Sequence, residues 1–307
     1  MASPATTTLR LASNTTAYPR SSVRSNRSMY LQCGNHRLDL TRPVVMGVVN
    51  VTPDSFSDGG RFLDRSKAVD HARQLIEEGA AILDIGGEST RPGAADVSVE
   101  EELRRVVPVV EALAGQGAVI SVDTSKPEVM RAAAAAGAGI INDVRALTAP
   151  GALEAALGSG CAVCLMHMQG DPRTMQQAPR YGDVVTEVKA FLVDRAQSCR
   201  AAGIPAERIS IDPGFGFGKT LEHNAALLRG LEAFGDTGYP LAVGLSRKSM
   251  LQKILGRPVG ERLYGSLALA VMAAMKGARI LRAHDVAATA DALKTVSAIL
   301  LTTDRGG

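Results

Sequence analysis

The sequence predicts an α/β fold, a single-domain (β/α)₈ TIM barrel, from two observations. Eight short runs rich in Val, Ile and Leu alternate with longer amphipathic segments from Val44 onward. Over roughly 240 residues this gives about 30 residues per unit, the length of one strand plus one crossover helix. Most of the runs also end in polar side chains, as expected where the carboxyl ends of barrel strands form a site.

The predicted strands are the apolar runs themselves, taken in chain order. Their sequences are VVMGVVN, AAILDIGG, AVISVDTS, GIINDVR, CAVCLMHM, RISIDPG, LAVGLSRKS and ARILRAHD. They place strands at residues 44–50, 80–85, 118–122, 139–142, 162–167, 209–212, 241–245 and 278–283.

Helices are predicted in the amphipathic segments between these runs. They cover residues 66–78, 99–113, 127–136, 150–158, 182–202, 222–233, 260–276 and 286–301. Ser125 ahead of Pro127 is typical of a helix start. Just past some of the helices stands a glycine, the residue that a left-handed C-cap favours: Gly79, Gly137, Gly203 and Gly277. These predicted helix ends support the repeated alternation of strand and helix.

The first 37 residues differ from the rest and are predicted to form a flexible Ser/Thr/Arg-rich tail, outside a catalytic barrel domain of residues 38–307. They carry five Arg and no acidic residue, and they lack the apolar stretch of a secretory signal. An organellar transit peptide has a similar composition. A tail on a cytoplasmic protein is the preferred interpretation.

Composition restricts the core and the partners. With 46% hydrophobic but only 4% aromatic residues and no Trp, the core must consist mainly of Ala, Val, Ile and Leu, which suits a layered barrel interior. A net charge of +3 over 307 residues gives no argument for nucleic-acid binding. No apolar run approaches the ~18 residues of a membrane span. Small-molecule substrates are therefore the expected partners.

The segment CAVCLMHM contains a CxxC pair followed by His167, which invites a metal or redox interpretation. The segment is predicted to be a buried strand, however, and side chains three positions apart on a strand point to opposite faces. Cys161, Cys164 and His167 therefore cannot converge on one ion. Buried thiols are the expected state.

Three loops are rich in functional groups. Residues 50–62 (NVTPDSFSDGGRF) and 86–93 (GGESTRPG) are predicted lids at the reactive end of the barrel. The run DPGFGFGKT resembles a phosphate-binding P-loop, but it is one residue short and has Pro213 in place of the first glycine. It is predicted to form a tight turn, with Asp212 pointing into the pocket.

The strand ends are predicted to form a pocket with two poles. Its acceptor pole, suited to a flat heterocycle with several N–H donors, comprises Asp123, Asn142 and Asp212. Its cationic pole, suited to a diphosphate, comprises Arg91, Lys248, Arg282 and His284. Asn50 and neighbouring oxygens could hold Mg²⁺, which prefers a few protein oxygens together with water and phosphate.

The segments NVTPDSFSDGG, GGESTRPGA, DTSKP, IND, MHMQG, DPGFGFGK, SRKSM and RAHD closely resemble, in order and spacing, the signature segments of the dihydropteroate synthases. The resemblance spans about 260 residues, from near Leu38 to the end of the chain. It implies condensation of 6-hydroxymethyl-7,8-dihydropterin diphosphate with 4-aminobenzoate to give 7,8-dihydropteroate and pyrophosphate in folate biosynthesis. It also implies a TIM barrel, a Mg²⁺ cofactor, a homodimer packed through the last helices, and inhibition by sulfonamides.

The resemblance also implies roles for single residues. The Mg²⁺ ligand is Asn50, and the catalytic residues are Asp123, Asp212, Lys248, Arg282 and His284. The pterin contacts are Asp123, Asn142, Asp212 and Lys248. The diphosphate contacts are Thr90, Arg91, Arg282 and His284. The 4-aminobenzoate contacts are Ser55, Phe56, Thr90, Arg91, Pro92, Phe217, Lys248 and Ser249.

Two alternatives remain at this point. A pterin-binding barrel methyltransferase would use a similar acceptor pole but has little use for the diphosphate contacts. A pterin-binding protein without turnover would keep the pocket and lose the chemistry. Release of pyrophosphate distinguishes both of them from the synthase.

Overall fold

The computed structural model describes residues 29–52, 61–89, 96–171 and 174–301 and contains a sheet of eight parallel strands. A short antiparallel hairpin of β1 (Tyr30–Cys33) and β2 (His36–Asp39) precedes this sheet. The parallel strands are β3 (Val44–Asn50), β4 (Ala80–Gly86), β5 (Val119–Asp123), β6 (Ile140–Asp143), β7 (Ala162–Met166), β8 (Ile209–Asp212), β9 (Ala242–Gly244) and β10 (Ile280–Ala283).

The parallel strands follow one another around a barrel. Their order is β8-β7-β6-β5-β4-β3-β10-β9, and a parallel bridge between Ile211 and Leu241 links the two ends of the sheet. The backbone N–H of Ile211 also donates to the carbonyl of Pro240 at 3.0 Å. The predicted (β/α)₈ barrel is confirmed.

Helices cover the outside of the barrel between successive strands. They are α1 (Arg61–Glu77), α2 (Val99–Leu113), α3 (Pro127–Ala136), α4 (Ala152–Ser159), α5 (Val184–Ala201), α6 (Leu221–Arg229), α7 (Ser249–Leu255), α8 (Leu263–Met275) and α9 (Val286–Leu301). Short polar side chains begin several of them: Ser98 accepts from the Glu101 N–H, and Asp183 from the Val185 N–H. Gly137, with φ of 114°, ends α3 in the left-handed conformation that glycine favours.

Most predicted elements agree with the structure within a few residues. The predicted bounds of the second, third and last helices are those observed for α2, α3 and α9. The helix predicted at 222–233 ends early, because a 3₁₀ turn, Leu231–Thr237, follows Gly230. Helix α7 was not predicted, since its seven residues are too few to show a period. None of the described helices is both long and apolar enough to cross a bilayer.

The hairpin closes the N-terminal end of the barrel. Leu31 and Cys33 on β1 are fully buried against the first inward-facing side chains of the strands, including Met46, Ile140 and Ile280. The predicted boundary between residues 37 and 38 cuts through this hairpin, so β1 belongs with the barrel. The prediction of a flexible tail for residues 1–28 lies outside the described residues.

The core has two parts, as expected for a barrel whose strands are buried on both faces. The larger cluster packs the helices onto the outer face of the strands, and the smaller one fills the lower interior. Cys161 belongs to the outer cluster and Cys164 to the inner one, so the two thiols point to opposite faces as predicted. All four cysteines are free and buried, and burial raises the pKa of each thiol.

Candidate active site

The barrel interior changes from apolar to polar along the strands. Alternate side chains of each strand point inward, and successive layers of the interior are formed by side chains from alternate strands. On β4 the inward sequence is Ile82, Asp84, Gly86, and on β5 it continues with Ser121 and Asp123. Above the apolar floor, the interior is therefore lined by polar groups toward the carboxyl ends of the strands.

Arg282 forms the centre of this polar layer. Its Nε lies 2.6 Å from Oδ2 of Asp84, and its Nη2 lies 3.2 Å from Oδ2 of Asp123. The Asp84 side chain is fully buried, the Asp123 side chain is 11% exposed and the Arg282 side chain is 25% exposed. A guanidinium between two carboxylates is satisfied at both sides, and such charge-assisted bonds fix its plane.

Asp84 is a functional residue that the sequence reasoning missed. Its Oδ1 accepts from the Ser121 hydroxyl at 2.7 Å, and its Oδ2 accepts from Nδ2 of Asn142 at 3.2 Å. Asp84 therefore connects Arg282 with two further strands of the barrel. The available signal was a lone acid inside the apolar run AAILDIGG, two residues before the strand end and so on the same face as the pocket.

The predicted acids Asp123 and Asp212 end β5 and β8. Burial, followed by the nearby charge of Asp84, raises the pKa of Asp123 to about 7. Burial also raises the pKa of Asp212 to about 6, although the Gly214 N–H donates to its Oδ1 at 2.7 Å and opposes the shift. Both groups thus change charge near neutral pH, a property typical of functional carboxylates.

Lys248 stands beside Asp212 at the opening of the barrel. Its Nζ lies 4.2 Å from the centre of the Phe217 ring, within cation–π range. Burial and the charge of Arg282 lower the pKa of Lys248 to about 8, against the attraction of Asp212 and Asp123. The structure thus brings the predicted Lys248 and Phe217 into contact.

The turn before Lys248 is strained and firmly held. Arg247 has a φ of 57°, in the left-handed region that non-glycine residues rarely adopt. The guanidinium of Arg247 binds both carboxylate oxygens of Asp285, at 2.5 and 3.1 Å. The backbone N–H of Arg247 donates to the Ser266 hydroxyl. The buried Arg262 donates to the Arg247 carbonyl at 3.0 Å. These bonds position the backbone from which Lys248 extends.

The glycine run after β8 forms a tight turn, as predicted. Gly214, Gly216 and Gly218 all have positive φ values, between 61° and 83°. A Cβ at Gly214 would lie 1.9 Å from the His167 carbonyl oxygen, and one at Gly218 would lie 2.5 Å from the Gln169 carbonyl oxygen. Only glycine fits these two positions, because the loop is pressed against the segment that follows β7.

His284 follows β10 but is not part of a permanently cationic set. Its Nδ1 lies 3.1 Å from the Ser246 hydroxyl, which also accepts from the His284 N–H at 3.2 Å. Burial, together with the charges of Arg282 and Arg247, lowers the pKa of His284 to about 4. The prediction of a cationic His284 is thus wrong for the free protein, because burial disfavours the charged ring and two arginines already supply positive charge there.

Asn50 ends β3 beside the space left by a glycine. The position that a Cβ on Gly86 would occupy lies 4.0 Å from the Asn50 Oδ1 and 3.8 Å from the Asp123 Cβ. Among the described residues no group of three or more His, Cys, Asp or Glu could hold a metal ion. The carboxamide oxygen of Asn50 therefore fits Mg²⁺ only as one hard ligand among water and phosphate oxygens.

The remaining predicted residues fall into two groups. Ser249 is exposed at the first position of α7, next to Lys248. The other five lie outside the described residues, so their predicted roles stay predictions: Ser55, Phe56, Thr90, Arg91 and Pro92. The site that the structure brings together thus consists of Asn50, Asp123, Asn142, Asp212, Phe217, Lys248, Arg282 and His284, with Asp84 added.

The chain is similar to known pterin-binding proteins. Residues 46–284 match the pterin binding enzyme family. The chain is 58% identical over 264 residues to the dihydropteroate synthase of Escherichia coli K12, covering 86% of this chain and 94% of that protein. Two solved structures from Xanthomonas albilineans are also similar, dihydropteroate synthase with 4-aminobenzoic acid (TM-score 0.85, 54% identity, 89% and 99% coverage) and in complex with 7,8-dihydropteroate (TM-score 0.81, 51% identity, 88% and 98% coverage). The predicted resemblance is confirmed, and the chain belongs to the pterin-binding enzymes and, within them, to the dihydropteroate synthases.

Proposed function

We propose that this chain is a transferase that condenses 6-hydroxymethyl-7,8-dihydropterin diphosphate with 4-aminobenzoate, giving 7,8-dihydropteroate for folate biosynthesis and releasing pyrophosphate. One observation carries the proposal: buried acids and cations from separate strands meet at one end of the barrel, with Arg282 bonded to both Asp84 and Asp123. A molecule with an electron-poor ring at one end and a diphosphate at the other matches both kinds of group.

The acceptor pole suits the pterin ring. Asp123 ends β5, Asp212 ends β8, and Asn142 is the second-to-last residue of β6; all three are at least 89% buried. An aminopyrimidinone edge carries several N–H donors, which would satisfy these oxygens. A buried carboxylate also binds a positively charged ring more strongly than a neutral one.

The cationic pole suits the diphosphate. Arg282 supplies a guanidinium, and His284 keeps Nδ1 on the Ser246 hydroxyl, which leaves its other ring nitrogen for the ligand. Although His284 is neutral in the free protein, an approaching diphosphate would raise its pKa and favour the charged form. Asn50 is the residue that would hold Mg²⁺, which when bound would supply further positive charge to neutralise the leaving group.

We propose that ionisation comes before bond formation. An aromatic amine is a weak nucleophile, so reaction is favoured when the carbon–oxygen bond to the diphosphate breaks first and the dihydropterin ring takes up the positive charge. Asp123 and Asp212 would stabilise this cation, while Arg282 and His284 would stabilise the departing diphosphate. The amine then attacks the carbon and loses a proton, and no strong base is required.

Release of pyrophosphate tests the proposed function directly. The full chain, given both substrates and Mg²⁺, is expected to form equal amounts of pyrophosphate and dihydropteroate in a coupled assay. Leaving out 4-aminobenzoate or Mg²⁺ should reduce the rate to background, and a sulfonamide should compete with 4-aminobenzoate. A methyltransferase or a non-catalytic pterin-binding protein would release none, so a flat signal with every component present would overturn the proposal.

We also propose a homodimer, formed through the last helices. One face of α8 carries an apolar stripe at helical spacing: Tyr264 is 83% exposed, Met272 44% and Met275 59%. Ile254 on α7 and Val259 beside it are more than half exposed and extend the apolar surface. Monomeric proteins rarely expose contiguous apolar patches of this kind, and a second copy is the occupant proposed here.

Light scattering after gel filtration tests the dimer. The wild-type chain is expected at twice its mass of 32.1 kDa, and Tyr264→Glu with Met275→Lys is expected to weaken association by about 100-fold or more, since both charges would be buried without partners. Leu157→Lys on α4, where the side chain is 38% exposed, is the matched control and should leave the dimer intact. A wild-type monomer at micromolar concentration would rule out the proposed dimer.

We propose that the enzyme acts in the cytoplasm. Its four cysteines are all free and buried, and none of them forms a disulfide bond. Free thiols in every case support a reducing compartment.

A further inference from the structure

Lys219 is a buried lysine that the proposed mechanism does not use. It is 3% exposed and lies at the end of the glycine loop, residues 213–218, behind the pocket. Its Nζ donates to the carbonyl oxygens of Gly214 at 2.9 Å and Phe217 at 3.0 Å, and it lies 3.0 Å from Nδ1 of His167. An ammonium is costly to bury, and burial lowers the pKa of Lys219 to about 7, although the charge of Asp212 opposes this shift. The loop itself supplies acceptors for the protons of the ammonium.

The loop that Lys219 holds forms one wall of the pocket. The ring of Phe217 lies under the Nζ of Lys248, and a Cβ on Gly216 would lie 3.2 Å from the Lys248 Cδ. A neutral bond braces the same loop, because the Tyr181 hydroxyl donates to the Gly218 carbonyl at 2.9 Å. Movement of the loop by a few tenths of an ångström would therefore move the surface against which Lys248 packs.

His167 is suited to accept from Lys219 rather than to compete with it. Burial, and then the charge of Lys219, lower the pKa of His167 to about 3, so its ring is neutral at any pH of interest. The ring packs edge-on against Phe191, with 5.0 Å between ring centres, which fixes its orientation. A neutral ring with a free lone pair on Nδ1 completes the set of acceptors around the ammonium.

We propose that Lys219 is a positioning residue: from behind the pocket it binds the carbonyls of the glycine loop and so fixes Phe217 relative to Asp212 and Lys248. The proposal deepens the proposed function and rests on it, since Asp212 and Phe217 are the groups assigned to the pterin and to 4-aminobenzoate. No substrate contact by Lys219 is involved, because the side chain is enclosed by its own loop and by His167.

The charge of Lys219 also acts on the pKa of Asp212, and the direction of this effect is definite. The pKa of Asp212 is raised by burial and lowered by the Gly214 N–H, Lys248, Lys219 and Arg282, which leaves it at about 6. Loss of the Lys219 charge would therefore raise the pKa of Asp212 further, and more of this acid would be protonated at a given pH. The acid limb of the pH–rate profile should move to higher pH, not lower.

The other titratable groups near Lys219 and Asp212 are not expected to move the acid limb in the same way. Cys164 on β7 lies close enough to Asp212 for their charges to interact, but burial keeps its thiol neutral. Lys248 lies near both Asp212 and Lys219, and loss of a neighbouring cation would raise its pKa and move the alkaline limb, not the acid one. His167 stays neutral. Asp123 also titrates on the acid side, with a pKa of about 7, but Lys219 is not among the groups that set this pKa. Lys219, whose own pKa is about 7, is mostly charged where Asp212 titrates. A shift of the Asp212 step within the acid limb, with the Asp123 step unmoved, therefore reports the loss of the Lys219 charge.

The test compares Lys219→Met with the wild-type full chain in the pyrophosphate assay across pH. The acid midpoint of kcat/KM is expected to rise by on the order of one pH unit. Well above this limb, the KM for 4-aminobenzoate should rise about tenfold or more, while the KM for the pterin diphosphate changes by less than about threefold, as expected if only the loop wall has moved. The titration of the substrates themselves is common to both proteins and cancels.

Matched variants separate charge from packing. Lys219→Arg keeps the charge and should return the acid midpoint to near the wild-type value. Lys219→Gln can still donate to the loop but is neutral, so it should shift the midpoint as Lys219→Met does; it also decides the question if Lys219→Met does not fold. Tyr181→Phe removes a loop bond without changing charge and should alter only the KM for 4-aminobenzoate. Lys67→Met, on the exposed face of α1, should change nothing.

A second readout does not depend on turnover. The carboxyl ¹³C signal of Asp212, assigned with Asp212→Asn, should titrate at higher pH in Lys219→Gln than in the wild type. If the wild-type chain releases no pyrophosphate, the proposed function fails while this titration still tests Lys219. An active wild type whose acid limb and Asp212 titration are both unmoved in the two neutral variants would overturn the positioning role.

Discussion

Asp123→Asn is expected to lower kcat by about 10² or more in single-turnover reactions, with the fold intact. The carboxylate ends β5 and lies 11% exposed beside Arg282. In the proposed mechanism it faces the cation formed in the pterin ring. Asparagine has nearly the same shape and still accepts hydrogen bonds, so ground-state binding should fall much less than the rate. The substitution should destabilise the transition state more than the bound substrate, because the charge on the ring is largest in the transition state.

The pKa of Asp123 adds a pH dependence to this expectation. Burial and the charge of Asp84 raise it to about 7 in the free protein, so part of the population is neutral there. A positive ring in the pocket would lower that pKa and draw the group into its charged form. The wild-type single-turnover rate should accordingly fall as the pH decreases through the pKa of Asp123, whereas Asp123→Asn should lose this step and keep only the one that belongs to Asp212.

Asp194→Asn, an exposed acid on α5, is the matched control and should react at the wild-type rate. Quenched-flow measurement of pyrophosphate, with enzyme in excess over the pterin diphosphate, isolates the chemical step from product release. An unchanged rate in Asp123→Asn would contradict the role of this carboxylate and, with it, the ionisation-first mechanism.

Asp123 and Asp212 could be located from the sequence because each directly ends a short apolar run. The carboxyl ends of all strands in a parallel barrel lie at the same rim, so residues that end these runs in the sequence lie close together in the structure. Asn50, Asn142 and Arg282 follow the same rule. The contact between Lys248 and Phe217 was less predictable, since it depends on two loops that approach each other over the barrel opening.

Asp84 and Lys219 show where this rule stops. Asp84 lies inside its run, and an apolar pattern alone does not distinguish a buried acid with three partners from an irregularity in the strand. The direction of the Lys219 side chain is decided by a turn with three positive φ values, which no periodicity describes. His284 was assigned a charge from its residue type, whereas its burial, together with the charges of Arg282 and Arg247, lowers its pKa to about 4.

The hairpin and α7 were missed for a different reason. Strands β1 and β2 have four residues each, too short for alternation to stand out, and they follow a segment rich in Ser, Thr and Arg. The hairpin is stable because it covers the open end of the barrel, with Leu31 and Cys33 fully buried. That stabilisation comes from tertiary packing, which a local pattern does not contain.

Arg282→Met is expected to give the largest combined loss, in both stability and activity. The substitution leaves Asp84, whose side chain is fully buried, and Asp123 without their cation. Breaking a buried pair from one side typically costs about 3–5 kcal/mol of unfolding free energy, since the remaining charge stays desolvated. Denaturant unfolding should show this loss, and pyrophosphate release should fall by about 10² or more because the diphosphate also loses its guanidinium.

Arg279→Met is the matched control for the loss of an arginine near β10. Arg279 lies at the opposite end of the strand, and its Nη1 contacts the Thr41 carbonyl at 3.4 Å. The same chemical change there removes a charge from the base of the barrel and not from the pocket. It should leave pyrophosphate release unchanged and lower the unfolding free energy by about 1 kcal/mol or less.

The double variant Asp84→Asn with Arg282→Met separates the two losses. Neutralising Asp84 removes one of the two unpaired buried charges, so the double variant should recover on the order of 1–3 kcal/mol relative to Arg282→Met alone. Activity should not return, because the diphosphate still lacks its cation. If stability and turnover recovered together, Arg282 would act only by neutralising Asp84, and its place at the diphosphate would have to be abandoned. If Arg282→Met unfolded at the same denaturant concentration as the wild type, the buried pair would not be a source of stability at all.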